Sequence, residues 1–495
     1  MHVLTDKART GIPGFDDILV GGLHRNRLYL LEGQPGTGKT TFALQFLIEG
    51  ASKGERTLYI TLSETREELV ASAASHGWVI DEIDIFELVS PETLLDDAQR
   101  QSLLYSSDIE LDETTKSVFE KVEAVKPQRV VLDSLSEIRL LAQSSLRYRR
   151  QVLAMKHRFA KLGATVLFLD DMTSENLDKT VHSVAHGVIK LEELAPEYGP
   201  ERRRLRVTKY RGQAFRGGYH DFKISTGGIV AYPHLIAAEH RLPFGRDKLS
   251  SGVKELDTLL GGGPERGTSM LVLGPAGSGK TLMALSFITA AVARGERTAA
   301  FLFDEDADLL IARSANVGFD LTSIIESGQL ILEQVDAAEL SPGEFASRVR
   351  ECVTELHVTT LLIDSLNGYQ LAMPEEKYLV LHMHELLSFL NRSGVLTLLT
   401  VAQHGVIGDM KAPVDLTYLS DTVILLRFFE ALGAVRRAIS VIKKRDGFHE
   451  DTIREIKISE KGIGVGGALE GFRGILRGVP EYLGHDKALL NNDQA

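Results

Sequence analysis

One cysteine and one tryptophan in 495 residues make this chain poor in both. A lone Cys352 excludes an internal disulfide and any cysteine-based zinc cluster, and so fits a reducing compartment. No apolar run reaches the roughly 18 residues that a membrane-spanning helix needs, so no span is expected. The opening residues MHVLTDKART carry no apolar stretch behind their charges, so no secretory signal is expected and the chain is read as cytoplasmic. An excess of positive charge is missing too. The 56 basic residues against 68 acidic ones leave −12, which disfavours a broad nucleic-acid surface. What remains is an ordinary globular composition, long enough for two to four domains of about 100–200 residues.

Glycine, by contrast, is plentiful and patterned. "GQPGTGKT" (Gly33–Thr40) and "GPAGSGKT" (Gly274–Thr281) both fit the phosphate-loop spacing G-x-x-x-x-G-K-[ST]. Sliding the chain by 241 residues brings Gly11 onto Gly252 and "GIPGFDDILVGGL" onto "GVKELDTLLGGGP". Asp16, Leu19, Gly21 and Gly22 then meet Asp257, Leu260, Gly262 and Gly263, and Gly-Glu-Arg-Thr at 54–57 recurs at 295–298. Two unrelated phosphate loops would not share register on both sides. The chain is an internal duplication.

Each copy alternates short apolar runs with helical periodicity. "LYLL" and "MLVLG" end in the glycine-rich loops, and "TTFALQFLIEGASKG" and "TLMALSFITAAVARG" follow as helices. Further strands read at "TLYITL" and "TAAFLF", "RVVLD" and "TLLID", and "ATVLFLD" and "VLTLLTVA". Strands apolar on both faces with helices between them predict an α/β fold, two tandem P-loop domains each built on a mostly parallel sheet. The expected boundaries are a first domain over 1–236, a linker over 237–250, a second domain over 251–468 and a C-terminal tail over 469–495.

The loop glycines turn backbone N–H groups onto phosphates at a helix N-terminus, where the dipole favours anions. This assigns Gly33, Gly36, Thr37, Gly38, Lys39, Thr40 and Thr41 to one ATP site, and Gly274, Gly277, Ser278, Gly279, Lys280, Thr281 and Leu282 to the other. Lys39 and Lys280 would reach the β/γ-phosphates, and the Thr40 and Thr281 hydroxyls would bind Mg²⁺. Asp133 and Asp364 end apolar strands, each before Ser-Leu, and suit the metal's remaining shell. The next strands back end in "LSET" and "FDED". Glu64 there, and Asp304 with Glu305, are the candidate acids for activating a nucleophile. Late in each copy, Lys209/Arg211 and Lys443/Arg445 alternate along a strand and project from one face.

The doubled module resembles the KaiC family of clock ATPases and autokinases, a branch of the RecA/RadA-like ATPases. The "GxxxLDxLLGGG"-type openings, both phosphate loops, "LIDSL" and "DTVILL…RRAISVIKKRDGFHEDTIREIKIS" carry the likeness, from Gly11 to about Gly466. The resemblance implies a two-tiered homohexamer with ATP between subunits, so that two phosphate loops mean two stacked rings. Lys209/Arg211 and Lys443/Arg445 would then complete the neighbour's site, and regulatory protein partners would be expected. The family has two adjacent glutamates after the second strand, where this chain has Ser63–Glu64 and Asp304–Glu305. The positions aligned with the family's Ser-Thr phosphoacceptors are Thr417 and Tyr418, with Ser420 a further candidate. The resemblance thus implies an ATPase with serine/threonine autokinase activity in the second domain. The rival readings are a DNA-dependent RecA/RadA-like ATPase, whose channel helix would be "RYRRQVLAMKHRFAKLG", and an ATP-stabilised signalling scaffold. His182 and His186 have i, i+4 spacing but no evident third ligand, and are read as ordinary helix residues.

Overall fold

The computed structural model describes residues 6–88, 106–172, 180–195, 200–372, 376–403, 417–477 and 480–483. Its contacts divide the chain into two units, 1–234 and 235–495.

In the first unit the apolar runs become β1 (Leu28–Glu32), β2 (Thr57–Thr61), β3 (Asp84–Glu87), β4 (Arg129–Asp133), β5 (Thr165–Asp170), β6 (Gly187–Leu194), β7 (Arg202–Tyr210), β8 (His220–Ser225) and β9 (Gly228–Tyr232). Their order across the sheet is β9-β8-β7-β6-β1-β5-β4-β2-β3. The strands from β6 to β3 run parallel, and β7, β8 and β9 extend the sheet antiparallel. Alternate residues feed two cores. Tyr29, Leu31, Tyr59, Val131, Leu167 and Ile189 pack with Phe42, Leu44 and Leu47 of the helix Lys39–Ala51 on one face. Leu28, Leu30, Ile60, Leu132 and Phe168 pack on the other against the helices Leu135–Ala142 and Ser145–Leu162. Burial of each such side chain is worth about 1.5–3 kcal/mol, and burial on both faces explains why these strands lack polar alternation.

The second unit repeats this order strand for strand. β10 (Ser269–Gly274), β11 (Arg297–Leu302), β12 (Leu330–Gln334), β13 (Val358–Asp364), β14 (Leu396–Ala402), β15 (Thr422–Ala431), β16 (Ala434–Lys444), β17 (Arg454–Ser459) and β18 (Gly462–Ala468) are ordered β18-β17-β16-β15-β10-β14-β13-β11-β12. Residues 235–250 belong to this unit: Leu235 and Ala237 enter its core. The segment from Phe472 also packs here, with Ile475 buried beside Phe429 and Ala438 and Phe472–Arg473 paired to Glu481–Tyr482. The end of the expected tail, 484–495, lies outside the described residues.

The repeated motifs now have physical reasons. Asp16 accepts hydrogen bonds from the Thr10 N–H (3.1 Å) and hydroxyl (2.9 Å), and Asp257 accepts from the Ser251 N–H (2.8 Å). Gly22 (φ 108°) and Gly263 (φ 104°) lie where a Cβ would stand 2.7 Å from the Ala8 carbonyl oxygen and 2.2 Å from that of Leu249. The glutamate of each Gly-Glu-Arg-Thr is an anchor: Glu55 pairs with Arg25 at 2.7 Å and Glu296 with Arg266 at 2.5 Å.

Candidate nucleotide sites

Each phosphate loop leaves its strand, β1 or β10, and opens a helix at a left-handed glycine, Gly38 (φ 96°) or Gly279 (φ 103°). Neither helix has a side-chain cap, so its first-turn N–H groups stay available to an anion. Lys39 is buried, its ammonium donating to the carbonyls of Gly33 and Gln34 at 3.0 Å each and lying 2.9 Å from Asp171 Oδ1. Lys280 is buried likewise and donates to the Pro275 carbonyl at 2.9 Å. Burial pulls its pKa down, opposed by the charges of Asp364 and Asp304. Lys39 lies near enough to act electrostatically on Asp133 and Glu64, and Asp364 on Lys280. The Thr37 hydroxyl donates to the Gln34 carbonyl at 2.8 Å, whereas the buried Ser278 hydroxyl has no partner among the described residues.

The acids differ between the copies. Asp133 is 6% exposed and accepts from the Tyr59 hydroxyl at 2.6 Å, and Thr40 adjoins that same hydroxyl. Burial pushes Asp133 up to about 6 against the pull of Tyr59, helped by the Asp171 charge. Glu64 rises to about 7, first through burial and then through Asp133, Glu68 and Asp171. In the second copy the acid Asp364 instead accepts from the Thr400 hydroxyl, and Asp304 from the Ser365 hydroxyl. Glu305 pairs with Arg313 at 2.6 Å, and burial still raises its pKa. The peptide bonds Asp133–Ser134 and Asp364–Ser365 are both cis.

A magnesium ion would suit these oxygens. Thr40 with Asp133, and Thr281 with Asp364, offer one hydroxyl and one carboxylate each. Among the described residues no three acids or histidines converge to hold a metal alone. That sparse donor set matches an ion which keeps waters and shares nucleotide phosphates. Bound there, it would supply charge neutralisation at the β/γ-phosphates.

The late cations hydrogen-bond backbone carbonyls outside the phosphate loops. Lys209 donates to the carbonyls of His182 and Ser183, and Arg211 to Ser183 at 2.8 Å. Lys443 donates to the carbonyls of Thr417 (2.8 Å) and Ser420 (2.7 Å), and Arg445 to Tyr418 (2.5 Å). Each pair therefore clasps the segment preceding β6 or β15. Within 417–420, Tyr418 is 52% exposed and Ser420 is fully buried.

A family model described as "ATPase: KaiC" matches residues 8–236 and again 249–470. The chain belongs to the KaiC family. Among curated relatives, the circadian clock protein KaiC3 of Synechocystis sp. (strain ATCC 27184 / PCC 6803 / Kazusa) is 29% identical over 96% of this chain and 95% of its own length. The circadian clock oscillator protein KaiC of Synechococcus elongatus is 28% identical over 98% of this chain and 94% of its own. That of Thermostichus vulcanus is 28% identical over 97% and 93%. The two sheets are accordingly two tandem RecA-like domains of a KaiC-family ATPase. No helix among the described residues is long and apolar enough to cross a membrane.

Sequence reasoning missed Tyr59, Thr400 and Asp171. Asp171 had a signal, since "LFLDD" ends an apolar strand in acid just as "RVVLD" does. A tyrosine or threonine inside a buried strand has none. His182 pairs with Glu32 at 2.7 Å, while His186 sits among His24, Tyr29 and Tyr210, so the two histidines serve different surroundings. In the basic helix Ser145–Leu162, Tyr148, Val152, Met155 and Phe159 face the core, and Arg149 and Arg150 stay exposed.

Proposed function

We propose that this protein binds Mg-ATP at both phosphate loops and hydrolyses it, and that its second domain also transfers phosphate to its own chain. The observation carrying this reading is the duplicated constellation of a buried loop lysine, a strand-end aspartate hydrogen-bonded to a hydroxyl and a flanking glutamate, in a chain of the KaiC family. The loop N–H groups and Lys39 or Lys280 bind and orient the phosphates. Asp133 and Asp364, with Thr40 and Thr281, hold the metal side. Glu64 in one site, and Asp304 with Glu305 in the other, activate the attacking water or hydroxyl.

A homohexameric, cytoplasmic ring with regulatory protein partners gives the late cations their task. Lys443 and Arg445 grip the backbone of Thr417, Tyr418 and Ser420. A neighbour's γ-phosphate approaching those cations therefore meets the candidate acceptors at once, and Tyr418 is the exposed one. Thr417 keeps the family's hydroxyl type at the aligned position. Acceptance at Ser420 would require its segment to open.

Intact mass after incubation with Mg-ATP tests the proposal. A gain of about 80 Da in the wild type, absent in Lys280→Ala, is expected, since a phosphoryl group adds that mass and up to two charges. Peptide mapping then assigns the acceptor. Free phosphate accumulating with no mass gain would leave a plain ATPase.

A further inference from the structure

The two sites keep their second acid in different places. In the second copy Asp304, just beyond β11, takes the Ser365 hydroxyl, and its charge acts on Lys280. Its counterpart in the first copy is Ser63, which offers no carboxylate. The counterpart of Ser365 is Ser134, 1% exposed, with a hydroxyl that has no hydrogen-bond partner among the described residues. In the second copy the equivalent hydroxyl is taken by the Asp304 carboxylate. The charge reappears across the sheet. Asp171, just beyond β5, lies 2.9 Å from the Lys39 ammonium, and Ser136 donates to its Oδ2 at 3.4 Å. Strand register equates Gly33 with Gly274 and Asp171 with Ala402, so the second copy has no acid there.

We propose that Asp171 is the displaced second acid of the first phosphate site, a positioning residue that does from the end of β5 what Asp304 does from the end of β11. The inference rests on the ATPase reading. Without nucleotide, Asp171 helps hold Lys39 in the loop. When phosphates engage Lys39, the carboxylate stands beside them and accepts a hydrogen bond from the attacking water, orienting it. The water oxygen bonds to Pγ as its proton passes to Glu64. The bond from Pγ to the β,γ-bridging oxygen breaks, and its electron pair leaves on ADP.

The test uses the full chain carrying Lys280→Ala, so that turnover reports the first site, with Lys39→Ala/Lys280→Ala as the blank. Adding Asp171→Asn is expected to lower kcat about tenfold or more, with KM unchanged or lower. Adding Ser63→Asp together with Glu137→Gly to that variant is expected to restore kcat to within about threefold. A Cβ at Gly368, the counterpart of Glu137, would stand 2.4 Å from Asp304 Oδ1, and with that room made a carboxylate at 63 can take the Ser134 hydroxyl. A merely structural Asp171 would show no such recovery. Unaltered kcat in Asp171→Asn, or a loss that Ser63→Asp with Glu137→Gly does not recover, overturns the inference while the ATPase reading stands. Hydrolysis no greater than the blank in Lys280→Ala overturns both.

Discussion

The first and second phosphate sites share a backbone and differ in how charge is placed on it. Around the first loop, strand ends carry Glu32, Asp170 and Asp171, answered by His182, Arg139 and Lys39. The same registers in the second unit hold Leu273, Val401 and Ala402. The strand-end aspartate takes its hydroxyl partner from β2 in one copy (Tyr59) and from β14 in the other (Thr400). Those two positions face Ala300 and Leu169 in the opposite copies. The strand-end carboxylate is hydrogen-bonded to a hydroxyl in both copies, and either neighbouring strand can donate it. Duplication thus conserves the satisfied group and leaves the donor free to move.

The largest expected contrast is in stability. Arg129 is fully buried, pairs with Glu55 at 2.6 Å and donates to the carbonyls of Arg9 (2.7 Å) and Phe46 (2.8 Å). Gly50 makes room for it, since a Cβ there would stand 2.6 Å from Arg129 Cδ; the second copy has Ala291 and the short Thr360 instead. Arg129→Met should cost the first unit about 3–5 kcal/mol in denaturant unfolding. Thr360→Val, whose buried hydroxyl has no partner among the described residues, should cost the second unit less than about 0.5 kcal/mol. Equal losses would show that the two cores are not organised as described.

Nucleotide binding comes next. Lys39→Ala and Lys280→Ala should each weaken their own site about 10- to 100-fold, the scale of a lost hydrogen bond to a charged group. Calorimetry with a non-hydrolysable ATP analogue should fall from two sites per chain to one in each variant. Retention of both sites would separate the loops from nucleotide.

Much of this was legible in the sequence because register is preserved through both loops. The parallel sheets followed from strands apolar on both faces, and the loop residues followed from a spacing that backbone geometry enforces. The positions of Asp171 and Tyr59 were not legible, because each acts across the sheet on a residue of another strand. Ser63 against Asp304 read as a missing acid. Only strand order shows that β5 ends beside the same lysine.

The pH profiles should also separate the sites. Glu64, at about 7, faces Asp133, Glu68, Asp171 and Lys39; burial is the first cause of its rise, and Lys39 opposes it. A general base must be deprotonated, so first-site hydrolysis in Lys280→Ala should climb as pH rises through about 7. Glu305 is raised less, with Arg313 opposing burial, so the second-site limb in Lys39→Ala should lie at lower pH. The linkage sign is the reverse of activity. A carboxyl raised above its ordinary 4.5 gives stability that is present below that value and lost as pH rises through about 7. Coincident limbs in the two variants would remove Glu64 as the base.

The smallest effect isolates the exchanged donor. Tyr59→Phe keeps the ring and removes only the hydroxyl that donates to Asp133 at 2.6 Å. That hydrogen bond holds the Asp133 pKa down against burial, so without it the carboxyl rises further above about 6. A more readily protonated aspartate is a poorer partner for a divalent cation, because the metal must displace the proton. First-site turnover in Lys280→Ala should then need a few-fold more Mg²⁺ at neutral pH, for a hydrogen bond worth about 1.5–3 kcal/mol to a charged group. The difference should shrink as pH rises and Asp133 ionises regardless. Thr400→Val in the Lys39→Ala background, which removes the hydroxyl that donates to Asp364, should also raise the Mg²⁺ requirement of the second site. An Mg²⁺ requirement that moves in only one of the two would mean that the donors are not equivalent and that the exchange between strands changed the site's chemistry.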